Sequence, residues 1–105
     1  MSEIKIGLTL PQGWRHDLVD KPPIQQLEYS KIIALAADKL RFDSVYAYDH
    51  FIPHYNYERH KTFFECFILI SAIASITKNV KIGQVVTCNS YRNPGLLAKM
   101  VATLD

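Results

Sequence analysis

The chain has 105 residues, 49% hydrophobic and 21% charged, with a formal net charge of +2. That leaves room for one globular domain of ordinary composition, and the scattered Lys and Arg argue against a nucleic-acid partner. The longest apolar stretch, Phe63 to Ile70, is broken by Glu65 and is too short to cross a bilayer. The start, Met1-Ser2-Glu3-Ile4-Lys5, lacks a signal-peptide pattern, and Cys66 and Cys88 form neither a CxxC motif nor a disulfide framework. Both features fit a reducing cytoplasm.

The first strand is expected over Ile4–Leu10, where alternation runs until Pro11. A polar connection, Gln12 to Pro23, holds Gly13, Trp14, Arg15, His16 and Asp17. A helix follows whose apolar positions Tyr29, Ile32, Ile33, Ala36, Ala37 and Leu40 make one inward stripe, with Glu28, Lys31 and Lys39 outward. The second strand is Ser44–Tyr48, ending in Asp49-His50-Phe51, and a loop over 52–61 carries Pro53, His54, Tyr55, Tyr57 and His60. The second helix, about Thr62 to Thr77, is apolar around much of its circumference and expected to be buried on more than one side. The third strand is Val80–Val86. Its loop, Thr87 to Arg92, runs into Asn93-Pro94, an N-cap followed by Pro at the first helical position. In the third helix Leu97, Met100, Val101 and Leu104 keep helical spacing up to Asp105, which predicts a helix cut short.

Three strand–helix units, with no linker or charge block between them, make residues 1–105 a single α/β segment with parallel strands. One Gly in Pro11-Gln12-Gly13-Trp14 is no dinucleotide fingerprint. The regular recurrence favours a partial (β/α)8 TIM barrel over a doubly wound sheet. A full barrel takes roughly 200 to 250 residues, so these are its first three βα units.

In such barrels chemistry collects at the carboxyl ends of the strands. Asp49-His50-Phe51-Ile52-Pro53-His54 is the densest cluster there. His50 would serve as acid, base or hydrogen-bond donor, with Asp49 orienting the imidazole or holding backbone amides. By spacing alone the plainer reading, a turn-capping Asp beside a half-buried His, weighs more. Pro53 between His50 and His54 rules out a helical HxxxH metal pair, and no Cys or carboxylate completes a zinc set. Cys88 reads as a small half-buried thiol. Arg92 would pair with a phosphate or carboxylate, or hold its loop against the next helix; the sequence leaves both open. Trp14, Tyr48, Tyr55, Tyr57 and Tyr91 would rim a site for a flat ring, or simply pack.

The runs Phe42–Phe51 and Val80–Cys88 resemble strands two and three of the bacterial-luciferase-like monooxygenase superfamily, and Tyr91–Asp105 resembles the segment that follows them. The likeness is nearest to the deazaflavin (coenzyme F-420)-dependent reductases and dehydrogenases and covers the first third or so of a family member. It implies an oxidoreductase in which FMN or a deazaflavin exchanges hydride with a small organic substrate. Asp49 and His50 would face the ring as the catalytic pair. Val85, Val86, Thr87 and Cys88 would hold the cofactor, with a non-proline cis peptide at Val85–Val86 behind the ring. Trp14, His54 and Asn89 would shape the substrate pocket. His54 stands near where sugar-phosphate dehydrogenases of this branch carry Trp, and Arg41 and Gly95 replace an expected Gly and Ala. The family's cofactor-phosphate site and a further carboxylate belong to strands four to eight.

Two functions compete on this reading: the oxidoreductase, and a non-catalytic remnant or assembly module that keeps the packing surfaces. A three-stranded piece of a barrel leaves two open edges and an uncovered interior face. Homo-oligomers paired through edges or inner faces are therefore expected, with Ile4, Ile6, Leu8, Val45, Val80 and Ile82 turned to the missing interior. No metal, nucleic acid or membrane partner is expected.

Overall fold

A computed structural model describes residues 4–54 and 62–105. Its elements are β1 (Gly7–Thr9), α1 (Pro23–Lys39), β2 (Ser44–Ala47), α2 (Cys66–Ala74), β3 (Lys81–Gln84) and α3 (Pro94–Leu104). The strands form one parallel sheet in the order β1-β2-β3, with Leu8 beside Val45 and Val45 beside Ile82. This is the expected α/β series. The regular strands are shorter than the apolar runs, but main-chain pairing extends past them. Asp43 N–H donates to Ile6 at 2.9 Å, Leu10 N–H to Tyr46 at 2.8 Å, and Val85 N–H to Ala47 at 2.9 Å.

Leu10, Val45, Ala47 and Val80 are buried with Ala34, Ala37 and the α2 residues Cys66, Phe67, Leu69, Ile70 and Ile73. Helix α2 touches β2, β3 and both other helices, so it is covered on more than one side, as its composition requires. It starts later than its apolar run. Phe64 N–H is still paired with the Gln12 carbonyl at 3.0 Å. Glu65 is the N-cap, accepting from Ile68 N–H at 2.8 Å.

Two expectations are corrected. Helix α1 turns Gln26, Ser30, Ala34, Ala37 and Asp38 inward, while Ile32 and Leu40 are 61% and 70% exposed. Small side chains allow a close approach to the sheet, and polar ones pin it there. The Ser30 hydroxyl donates to the Pro11 carbonyl, just past β1, at 2.5 Å, and the Gln26 amide ties the helix to the connection before it, donating to the Lys21 carbonyl at 3.0 Å. These specific bonds outweigh the hydrophobic stripe that periodicity picks out.

The second correction concerns the sheet faces. Val45 and Val80 are buried against the helices, and Leu8 and Ile82 pack on that same core; Ile4 and Ile6 are exposed. The face toward the barrel axis instead carries Tyr46 between two glycines. A Cβ on Gly7 would lie 2.7 Å from the Tyr46 ring, and one on Gly83 3.0 Å away. A single aromatic ring thus spreads over both neighbouring strands.

Helix α1 ends in a Schellman motif: Phe42 N–H returns to Ala37 at 3.0 Å and Arg41 N–H to Asp38 at 3.2 Å. Arg41 holds the left-handed position, at φ 62°. The Asp38 carboxylate then accepts from the main-chain N–H of Asn79 at 2.7 Å, Val80 at 2.8 Å and Lys78 at 3.2 Å. It latches the end of α1 to the entry of β3. Among the described residues no helix is long and apolar enough to cross a membrane.

Candidate functional site

At the carboxyl ends of the strands, Gln12 is the buried organiser. Its side-chain amide donates to the carbonyls of Tyr48 at 2.8 Å and Phe64 at 2.7 Å, and its side-chain oxygen accepts from Tyr48 N–H at 2.7 Å. Asp17 collects the next amides, those of Gln12 at 2.8 Å, Gly13 at 3.0 Å and Arg15 at 3.3 Å. Gly13 has φ 98°, and a Cβ there would come within 2.1 Å of the Thr62 carbonyl oxygen; only glycine suits the position.

This tight loop places Trp14 over the end of β2. Its ring is 4.9 Å from that of His50 with planes 7° apart, and 4.2 Å from Tyr48. The His54 ring meets it edge-on at 4.6 Å, and His54 N–H donates to the Trp14 carbonyl at 2.7 Å. His16 Nε2 lies 3.2 Å from the His54 carbonyl oxygen. The Arg15 guanidinium stands 5.5 Å over the indole. Trp14, His50 and His54, separated in sequence, are thus brought together with His16. Tyr55, Tyr57 and His60 lie outside the described residues.

Asp49 points away from this cluster's chemistry. Its carboxylate is 2.7 and 2.8 Å from the two terminal nitrogens of Arg92 and accepts from Cys88 N–H at 2.8 Å. Arg92 also binds the Glu65 carboxylate and lies over the Phe67 ring. The side chains of Asp49 and Arg92 are 1% and 8% exposed, so the pair is buried. Burial works against ionisation of Asp49. The Arg92 hydrogen bonds, the Cys88 amide and the Arg92 charge outweigh it and hold the carboxyl below its ordinary value. The Asp49 hydrogen bond likewise raises Arg92, against burial. Burial, reinforced by the Asp49 and Glu65 charges, pushes the Cys66 thiol up to about 12.

The β3 side of the mouth is apolar and open. The Val85–Val86 peptide is cis, and the two side chains are 39% and 76% exposed. Thr87 Oγ1 lies 3.0 Å from Gln84 Oε1. The Cys88 thiol is free and half-buried, and Asn89 is exposed beside Ser90. Phe51 and Tyr91 stack at 4.1 Å across the two loops. A flat, partly polar ring fits these surfaces: exposed valines present apolar contact, and His50 presents a nitrogen donor or acceptor. Among the described residues no three His, Cys, Asp or Glu side chains gather to hold a metal. A recess of about 540 Å3 between α2 and α3, lined by Phe67, Ile68, Met100 and Leu104, has Lys99 as its one ionisable group. It lies in the helical layer, apart from the histidines.

Of the two readings open for Arg92, pairing with a carboxylate is met within the chain itself, and the carboxylates of Asp49 and Glu65 tie its loop to the end of β2 and the start of α2 rather than to the following helix. Gln12 and Glu65 are the members that sequence reasoning did not single out. The partners of Gln12 are main-chain atoms 36 and 52 residues away, which leave no local pattern. Glu65 had a signal, an acidic residue just before a strongly apolar helix.

Residues 4–105 match the family described as luciferase-like monooxygenase. The N-acetyl-S-(2-succino)cysteine monooxygenase of Bacillus subtilis is 31% identical over 98% of this chain. The structure of an F420-dependent secondary alcohol dehydrogenase in complex with an F420-acetone adduct superposes with a TM-score of 0.69 at 30% identity, again over 98% of this chain. The chain spans 25% of the first relative's length and 28% of the second's. These three units therefore correspond to part of a TIM barrel.

Proposed function

The chain belongs to the luciferase-like monooxygenase family, and on that premise we propose that it supplies the first three units of a flavin- or deazaflavin-dependent oxidoreductase. Its reaction would be hydride exchange between the cofactor ring and a small organic substrate. The likeness to an F420-dependent dehydrogenase favours a deazaflavin, with FMN as the other candidate. The observation that carries the reading is the flat stack of His50 on Trp14, at the end of β2 and on the same end of the sheet as the exposed Val85–Val86 peptide.

The cofactor, when bound, supplies the redox chemistry; this chain's residues shape its surroundings. Val85, Val86, Thr87 and Cys88 form the wall for the ring. Trp14 fixes the plane of the His50 imidazole, whose nitrogens hold or move a proton. Asp49 anchors the wall rather than exchanging protons. Trp14, His54 and Asn89 border the space for a substrate. Two free thiols, Cys66 and Cys88, suit a reducing compartment, and we assign the protein to the cytoplasm.

Fluorescence titration with FMN and with the deazaflavin tests the reading. Because the cofactor-phosphate groups belong to later strands, the 105-residue chain should bind either more weakly than micromolar. Tighter binding would put those groups within these residues and overturn the assignment. With the barrel completed by its remaining strands, His50→Ala should reduce turnover more than cofactor affinity, and Lys39→Ala neither. Equal losses from both changes would remove the role of His50. A completed barrel that takes up no cofactor would favour an assembly module.

A further inference from the structure

We propose that Arg92 is a positioning residue, which sets the wall of the mouth by locking the loop after β3 onto the end of β2. The inference rests on the reading of that wall as the surface that receives a planar cofactor. Arg92 immediately precedes Asn93, the N-cap of α3. Its two terminal nitrogens form a fork on Asp49, and one also reaches Glu65. Asp49 returns the clamp through its bond to the Cys88 main-chain N–H, two residues beyond the exposed Val86. Glu65 caps α2 with its other oxygen. One guanidinium therefore joins the end of β2, the loop after β3, the start of α2 and the start of α3.

The geometry requires Arg. Two parallel N–H···O bonds to one carboxylate plus a third to another use the planar fork, which a lysine ammonium cannot reproduce. The clamp also settles the division of labour between neighbours. Both Asp49 oxygens are engaged, one by Arg92 alone and one by Arg92 and Cys88, so His50 is left as the group that can exchange a proton. Fixing Asp49 fixes the main chain of His50 on one side and of Cys88 on the other. The stack on Trp14 and the placement of Val85–Val86 thereby share one origin.

The two cysteines distinguish positioning from mere stability. Cys88 sits in the clamped loop and is half-buried, while Cys66, the first residue of α2, is fully buried in the core. Thiol labelling under native conditions, followed at each cysteine by mass spectrometry, should show Cys88 reacting at least tenfold faster in Arg92→Lys. Cys66 should react as in the wild type, and the single Trp14 should shift its emission as the stack loosens. Arg92→Gln leaves a buried carboxylate without its partner, and if it fails to fold, the lysine variant carries the test. Parallel acceleration at both cysteines, or no acceleration at Cys88, would overturn the proposal. Labelling needs no cofactor, so its outcome is separate from that of the cofactor titrations.

Discussion

The indole of Trp14 and the imidazole of His50 lie 4.9 Å apart with their planes within 7°. Trp14 is the sole tryptophan of the chain, so the emission of the chain reports on the surroundings of this one ring, His50 among them. Replacing His50 by Ala should brighten the emission, since stacked imidazole quenches excited indole, and move it to longer wavelength as water reaches the exposed ring face. Lys39→Ala, on the outer face of α1, should leave the spectrum as it is. An unchanged spectrum in His50→Ala would mean the rings do not stack in solution.

The Asp38 latch gives a pH signature. The N–H groups of Val80 first, then of Asn79, hold its carboxyl below the ordinary value against the opposing effect of burial. A depressed folded value means the contribution to stability is present above the unfolded value, about 3.9, and is lost as pH falls through the folded value. Asp38→Asn should lower the melting temperature at neutral pH, and the gap from wild type should close in acid. A gap that is constant from pH 7 down to about 2 would contradict the latch.

Arg41 pays the steric cost of a left-handed residue that glycine would avoid. Arg41→Gly should stabilise the chain by about 1 kcal/mol, less whatever its exposed bond to Asn79 (2.6 Å) contributes. For a domain of roughly this size that is ~4–8 °C in Tm. A fall in Tm would show that the Asn79 bond matters more than the backbone.

Tyr46 should be energetically coupled to its flanking glycines. Gly7→Ala or Gly83→Ala pushes a methyl toward the ring and should cost about 1–3 kcal/mol. In a Tyr46→Ala background Gly83→Ala, which meets nothing but the ring, should cost much less, while Gly7→Ala should keep part of its cost because its Cβ also lies 2.9 Å from Ser44 Oγ. Additive effects in urea melts would show that the ring does not lie over those strands.

Association is expected from the sheet itself. Strands β1 and β3 are both edges, and the face bearing Tyr46 has no helix over it among the described elements. We expect a homo-oligomer with edges or inner faces paired between chains, seen by sedimentation equilibrium at low micromolar concentration. A compact, cooperatively melting monomer would rule this out.

What could be read without coordinates followed the locality of the signal. Three βα units showed in the alternation of Ile4–Leu10 and Val80–Val86, and Asn93-Pro94 marked the start of α3. Trp14, His50 and His54 were picked out as mouth residues because they follow strand ends; their stacking was not legible. On the inward face of α1 only Ala37 follows the apolar stripe; Ser30 and Ala34 are small, and apolar periodicity gives weight to bulk rather than closeness of approach. The sheet faces were misread for a related reason: in a parallel sheet the helix side takes the valines and isoleucines, leaving glycines and a tyrosine to the axis. Asp49 with Arg92 is a pairing across 43 residues, and one sequence carries no trace of such distant partners.

The carboxamide of Gln12 grips both the N–H and the carbonyl of Tyr48 where the next rung of main chain would otherwise stand. The main-chain N–H of residue 12, next in register after that of Leu10, is turned instead to the Asp17 carboxylate at 2.8 Å. A side chain thus finishes the ladder between β1 and β2 at its carboxyl end, and the main chain is released from it at residue 12. The exposed side chains at 19, 20 and 22 can consequently change over generations while strand register stays intact, whereas the buried Leu18 and the Lys21 carbonyl that accepts from Gln26 hold the length of the segment.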